Sequence, residues 1–299
     1  MKRPLVVLEG RDQRQTSALT VPFRRLTTLW VQLTGTWCNL ECVHCINASG
    51  PGTPWLKPLD GEPVRRAIQA AERLGVREIY FTGGEPFLHP EILPLLGFAL
   101  AAAPTTALTN GTAITEPVAD ALAALADRAR YSLEIRVSLD DVEPEGNDRV
   151  RGRGAWAKAV QAIQRLHARG LLPIVTATEI ASGGLAGDGL YERFRDFLLT
   201  LGIDKPRVKI MPVFPIGRMQ GGDGARLSEE SLEGFDTGLL QCADTRVVAD
   251  GGVYACPILA GLEGARLSTG DLEAAFRPAP LYHTACVTCH RTGMTCRNG

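Results

Sequence analysis

Short apolar runs alternate with longer amphipathic ones along most of this chain. The runs at 29–33, 78–81, 105–108, 133–137, 173–176 and 207–210 are apolar and mostly lack a polar face. Strands of a parallel sheet covered on both sides have this character. Between them, 63–74, 91–102, 117–128, 156–168 and 191–201 are rich in Ala, Leu and Arg and read as helices. Gly75 follows the first, Pro117 opens the third, and Gly170 and Gly202 follow the fourth and fifth, which is ordinary helix punctuation. Six β units with intervening helices imply right-handed crossovers and an α/β fold, a partial (β/α)6 TIM-like barrel. Ligands of such folds collect at the C-terminal ends of the strands.

The rhythm bounds the barrel to 29–212. Residues 1–28 are polar and mixed and read as an N-terminal arm. The stretch 213–227 reads as a linker, rich in Gly and Pro, and 228–299 as a small cysteine-rich C-terminal domain. That last region has no βα rhythm and no obvious core, so it needs a staple, and metal is the natural one. The 299 residues are 45% apolar with a formal net charge of -1. Charges of both signs are mixed, which argues against nucleic acid, acidic substrates or a charged membrane as partners. No run of about 18 apolar residues is present, so no transmembrane helix is expected. The N-terminus is a poor signal peptide, and the reading is cytoplasmic. Eight cysteines in such a chain favour metal ligation over disulfides.

Three of them form Cys38-x3-Cys42-x2-Cys45, directly after the first strand. At a cysteine frequency of about 0.027 this triplet arises roughly 0.006 times by chance, so it is treated as a site. Three thiolates so close can hold three irons of a cubane 4Fe-4S cluster and leave the fourth open to a substrate or cofactor. Other strand ends carry polar groups. The second runs into Thr82-Gly83-Gly84-Glu85-Pro86, where two glycines admit a ligand to the backbone and Glu85 offers an acceptor. The third ends in Asn110-Gly111, and the fourth places Ser138, Asp140 and Asp141 at its mouth, followed by Arg151 among glycines. Singly, these pieces also read as a turn, a helix cap or a solvated loop.

Taken in this order, the cysteine triplet, Gly83-Gly84-Glu85-Pro86, Asn110-Gly111, Ser138-Leu139-Asp140 and Asn147-Asp148-x2-Arg151 resemble the radical S-adenosylmethionine (SAM) enzymes. The similarity spans about 29–212 and points to the branch of anaerobic sulfatase-maturating and peptide-modifying enzymes. It implies a 4Fe-4S cluster on Cys38, Cys42 and Cys45, with SAM chelating the open iron. Gly83, Gly84 and Glu85 would meet the SAM amino group. Ser138 and Arg151 would meet its ribose or carboxylate, Asn110 the ribose side, and His44 the adenine. The family's usual Ser-Leu-Asp-Gly is here Ser138-Leu139-Asp140-Asp141, so Asp140 and Asp141 are candidate catalytic carboxylates, the latter as a base.

The C-terminal cysteines resemble the SPASM/twitch extension of that branch, through Cys242, Gly251-x4-Cys256 and Cys286-x2-Cys289-x6-Cys296. This implies one auxiliary 4Fe-4S cluster, on Cys242, Cys256, Cys286 and Cys289, with Cys296 as the fifth candidate. A zinc knuckle at 286–296 is the rival reading. The activity implied is reductive cleavage of SAM to a 5′-deoxyadenosyl radical that abstracts a substrate hydrogen, driven by an external reductant such as flavodoxin or ferredoxin. The leading outcome is an oxidation with the auxiliary cluster as electron acceptor, on a small molecule or a peptide. The arm of about 28 residues is too short for the separate peptide-recognition domain of many relatives. The alternatives are a ribosomal-peptide maturase forming a crosslink, a thioether or an epimer, with Cys296 considered as hydrogen donor, and a non-catalytic electron-transfer protein.

Overall fold

The computed structural model describes residues 19–181, 188–221 and 224–298. Most of the expected arm and two residues of the expected linker lie outside the described residues. Six strands alternate with helices: β2 (Thr28–Gln32), β3 (Glu78–Thr82), β4 (Thr105–Thr109), β5 (Leu133–Ser138), β6 (Ile174–Thr178) and β7 (Arg207–Met211). A short β1 (Thr20–Val21) precedes them. Between the six run α1 (Gly61–Arg73), α2 (Ile92–Ala102), α3 (Glu116–Arg128), α4 (Pro144–Arg151), α5 (Ala155–His167) and α6 (Asp188–Thr200). All pairings from β2 to β7 are parallel and sequential. This is the expected partial barrel; β2 to β6 are largely buried because helices cover the outside, and the edge strand β7 is half-buried.

Of these helices, α4 has no counterpart in the apolar pattern. Its sequence PEGNDRVR carries one aliphatic side chain. Pro144 starts it. Its Asn147 Oδ1 accepts from the Asp140 N–H, and its Asp148 accepts from the Trp156 N–H, at 3.0 and 2.8 Å. Polar contacts to neighbouring loops fix this helix, and hydrophobic periodicity does not report them.

The C-terminal quarter is also more regular than its sequence suggests. β8 (Thr245–Ala249) lies parallel to β2, and β9 (Gly252–Tyr254) and β10 (Arg266–Ser268) continue antiparallel. The sheet order is therefore β10-β9-β8-β2-β3-β4-β5-β6-β7, with β10 and β7 at its ends. β11 (Ala279–Pro280) pairs with β1, and α7 (Thr284–Thr292) follows. The cysteine-rich region is thus joined to the barrel by backbone hydrogen bonds.

Residues 296–298 run back under the barrel. The Asn298 N–H donates to Tyr80 Oη and its amide to Thr106 Oγ1, at 2.9 and 2.8 Å. The Arg297 guanidinium pairs with Asp244 at 3.1 Å. Tyr80 and Thr106 lie within β3 and β4, before their C-terminal ends, and Asp244 lies in the turn before β8. The tail therefore closes the end of the barrel away from the strand mouths.

Arg246, on β8, is fully buried and donates to the carbonyls of Ala275, Cys242, Thr245 and Arg277 at 2.6–3.0 Å. Its guanidinium lies 3.8 Å from the Phe23 ring centroid. Arg246→Met should cost about 3 kcal/mol or more, because four carbonyls, three of them buried, lose their donor. Chemical denaturation measures this, and a loss below about 1 kcal/mol contradicts it.

Candidate active site

β2 delivers the chain into the cysteine loop, and the loop after β3 packs against it. The Cys38 N–H donates to Gly50 O, and the Glu85 N–H to Trp37 O, each at 3.0 Å. Contact is so close that a Cβ on Gly84 would lie 2.0 Å from Trp37 O and 2.8 Å from Cys38 Cβ. One on Gly83, whose φ is +150°, would lie 2.2 Å from Thr34 Oγ1. Both glycines are required by steric approach. Arg218 braces the loop from outside, donating to the carbonyls of Cys42, Ala48 and Ser49 at 3.0, 3.2 and 2.6 Å.

Each of the three sulfurs faces a donor. Cys38 Sγ accepts from the Leu40 N–H at 3.4 Å and from the Asn110 amide at 3.7 Å. Cys45 Sγ accepts from the Ser49 N–H at 3.3 Å, and Arg151 Nη1 stands 4.0 Å from Cys42 Sγ. Burial pushes the Cys38 thiol up to about 12 and raises Cys42 as well. Thiolates here need the positive charge of a metal, and N–H donors around sulfur suit a ligated cluster. The donor set and its surroundings fit a 4Fe-4S cluster.

The three cysteines open on a cavity of about 250 Å3 inside the barrel. His44, Gly83, Gly84, Asn110, Ser138 and Arg151 all line it. Beside it, Asp140 has no exposed surface and organises two of them. Its Oδ2 lies 2.8 Å from His44 Nε2 and 2.7 Å from Arg151 Nε, while Oδ1 accepts from the N–H and hydroxyl of Thr178, each at 2.8 Å. Burial pushes its carboxyl up, but the Arg151 guanidinium and His44 outweigh this and hold it well below the usual carboxylate range. Asp140 is therefore a fixed anion that positions a cavity-facing imidazole and guanidinium.

Glu85 and Asp141 do not line the cavity. Glu85 is fully buried, and its carboxylate accepts from the Phe87 N–H, the Thr109 hydroxyl and the Asn110 N–H at 3.0, 2.7 and 2.7 Å. Burial raises it to about 7. It ties the β3 loop to the end of β4, and so holds Asn110 in place. Asp141 is paired with Arg193 of α6 at 2.8 Å, on the helical side of the strand end.

Cys242, Cys256, Cys286 and Cys289 line one small apolar pocket together. Cys296 stands outside that group and lines the barrel cavity. Its Sγ accepts from Gln241 Nε2 at 3.3 Å, and its N–H donates to Gln241 Oε1 at 2.9 Å. Cys286 and Cys289 thus line the small pocket and Cys296 the barrel cavity, with Cys296 still near enough to Cys289 to help raise its thiol. Ile258 lines both spaces, and Gln241 of the small pocket bonds Cys296 of the barrel cavity, so the two spaces adjoin.

Sequence reasoning missed the lining side chains inside the barrel, among them Trp30, Arg136, Thr176 and Met211. Period-two alternation along each strand was the available signal, since Arg136 lies two residues before Ser138 on one face. It was hidden because the opposite faces are apolar.

Comparison with known proteins agrees with this geometry. The pattern of the Radical SAM superfamily matches residues 33–185, and the chain belongs to that superfamily. It is therefore an enzyme of the class that uses a 4Fe-4S cluster and SAM. It is similar to the mycofactocin maturase MftC of Mycobacterium ulcerans (strain Agy99), with 27% identity over 88% of this chain and 79% of that one. The probable GTP 3′,8-cyclase of Methanosarcina mazei is 29% identical over 55% of this chain and 49% of its own. Among solved structures, Streptococcus suis SuiB bound to S-adenosylmethionine superposes with a TM-score of 0.65 at 16% identity, covering 86% of this chain and 67% of that one. Native anSMEcpe with bound AdoMet gives 0.60 at 17%, covering 83% and 80%. These two likenesses concern the fold. Among the described residues no helix is long and apolar enough to cross a membrane.

Because Asp140 ionises below its unfolded value near pH 4, it stabilises the fold above that pH, and the contribution is lost as pH falls further. Asp140→Asn should remove this acid dependence and cost about 3–5 kcal/mol at pH 7 by leaving Arg151 buried without its anion. Denaturation curves between about pH 3 and pH 7 test both points. An acid limb that persists unchanged in the variant refutes the assignment.

Proposed function

We propose that this enzyme is a radical SAM maturase that abstracts a hydrogen from a peptide held in the barrel cavity. The observation that carries the reading is one cavity shared by the cysteine triplet, the strand-end residues Gly83, Gly84, Asn110 and Ser138, and His44 and Arg151. A peptide substrate is supported by the similarity to a mycofactocin maturase and by the fold shared with SuiB, which has been solved with its precursor peptide SuiA.

Cys38, Cys42 and Cys45 hold the cluster in this reading, and its chemistry when SAM is bound is one-electron cleavage to a 5′-deoxyadenosyl radical. Arg151 offers a cation to the SAM carboxylate, kept in place by Asp140. His44 presents its ring toward the adenine from the same anchor. Gly83 and Gly84 admit the methionine end close to backbone. Asn110 and Ser138 supply hydrogen bonds to the ribose side. The apolar walls and the tail under the barrel exclude water from the reacting carbon.

Cys242, Cys256, Cys286 and Cys289 would hold an auxiliary cluster, whose chemistry is one-electron exchange. Burial raises all four thiols, so they too need a metal to become thiolates. The neighbouring cavities support electron acceptance from the substrate side, which makes the net reaction an oxidation. A ferredoxin- or flavodoxin-type protein is the proposed reductant.

Reconstituted enzyme with SAM and dithionite should form 5′-deoxyadenosine, and Cys38→Ala, Cys42→Ala or Cys45→Ala should abolish it. Short peptides encoded beside the gene should stimulate its formation and lose mass. A wild-type preparation that makes none sinks the enzyme reading. In Cys256→Ala, iron content should fall by about half and peptide oxidation should stop while SAM cleavage persists. Full peptide turnover in that variant removes the acceptor role.

A further inference from the structure

Arg136 is a buried cation with no carboxylate partner among the described residues. It sits mid-strand on β5, one inward position below Ser138, and both side chains line the cavity. Only 2% of its surface is exposed. Its Nε donates to Thr176 Oγ1 at 3.1 Å and its Nη1 to the Cys296 carbonyl at 2.6 Å. Both acceptors are neutral. Among the described residues Nη2 has no hydrogen-bond partner, and no carboxylate comes within ion-pair distance of the guanidinium.

Nearby carboxylates are already engaged. Glu134 pairs with Arg207 at 2.6 Å, Asp244 with Arg297 at 3.1 Å, and Glu78 accepts from the Tyr80 hydroxyl at 2.9 Å. Other cations crowd the same floor. The Lys209 ammonium reaches the Arg297 carbonyl, and burial followed by the Arg136 charge lowers it to about 8. Arg136 itself is lowered by burial. An unpaired buried guanidinium is costly. Arg246 meets that cost with four carbonyls, whereas Arg136 has two neutral acceptors and an unbonded Nη2 beside the cavity, where an anion can reach it. The SAM carboxylate has its own candidate in Arg151, beside the cysteine loop. The fork geometry of arginine suits a carboxylate.

We propose that Arg136 binds a carboxylate of the substrate, a terminal or acidic side-chain group, deep in the cavity beneath the SAM-facing strand ends. This rests on the cavity being the reaction site, and it sets which atoms of the substrate face the radical. A substrate anchored by its carboxylate from below presents its neighbouring carbons upward, toward the cysteine loop. Thr176 and the Cys296 carbonyl are positioning groups that hold two of the guanidinium nitrogens and leave the third for the ligand.

The test uses cluster-loaded enzyme with SAM under anaerobic calorimetry. Three probes are compared: N-acetyl-alanyl-alanine, its C-terminal amide, and N-acetyl-aspartyl-alanine amide. At least one of the two acids should bind saturably, and the uncharged amide should bind about tenfold more weakly or worse. Whichever acid binds identifies a terminal or a side-chain carboxylate. Arg136→Gln should abolish the preference, Arg136→Lys should keep some of it, and SAM affinity should stay within about twofold in both. Melting temperatures establish that the variants fold. Equal binding of acids and amide, no saturable acid binding up to about 50 mM, a preference that survives in Arg136→Gln, or a loss confined to SAM binding would each overturn the proposal. Acid binding without any peptide stimulating 5′-deoxyadenosine leaves the anion site standing and sinks the peptide reading. Peptide turnover with acid and amide probes bound alike does the reverse.

Discussion

The buried Asp140 carboxylate is the tie on which the site depends. It draws together His44 from the cysteine loop, Arg151 from the end of α4 and Thr178 from the end of β6. Without that anion, two cationic or polarisable side chains at the rim have nothing to orient them. With it, the rim is rigid before any ligand arrives. The energetic logic is that of a buried charge that is tolerated because each oxygen has partners. On the neighbouring β3 loop, Glu85 acts similarly, accepting from three donors that fix the loop against β4. Asp140 and Glu85, which look chemically reactive in the sequence, are thus both taken up by neighbouring donors.

A second constraint is the adjacency of the barrel cavity and the C-terminal cysteine pocket. β8 adds to the barrel sheet beside β2, so the region that follows it cannot drift away. Gln241 and Cys242 precede that strand, and the tail carrying Cys296 returns beneath the barrel. A thiol from the far end of the chain thus reaches the cavity that the first barrel strand feeds. The same tail supplies the carbonyl that occupies one nitrogen of Arg136 and leaves another free.

Much of this was legible in the residues. The six barrel strands and five of the helices follow from apolar runs and glycine or proline punctuation, because strands buried on both faces have little choice of residue. The cysteine triplet and Gly83-Gly84 were legible for a different reason. Thiolates at that spacing have few other uses, and no side chain fits at Gly84 against Trp37. By contrast, α4 lacks an apolar face, and β8 to β10 are three to five residues long. Their existence depends on partners distant in sequence, which local pattern does not encode.

By itself the sequence determined the barrel, the cysteine triplet and the glycines of the adjoining loop, since each is dictated by burial, ligand chemistry or steric exclusion within a short segment. Only the tertiary structure decided which buried carboxylates hold the cavity-lining side chains, which cysteines line one pocket and which cavity-lining cation has no carboxylate partner among the described residues. Those are questions of distance between residues far apart along the chain. Electrostatic and ligand geometry act over a few ångströms in space, whatever that separation is.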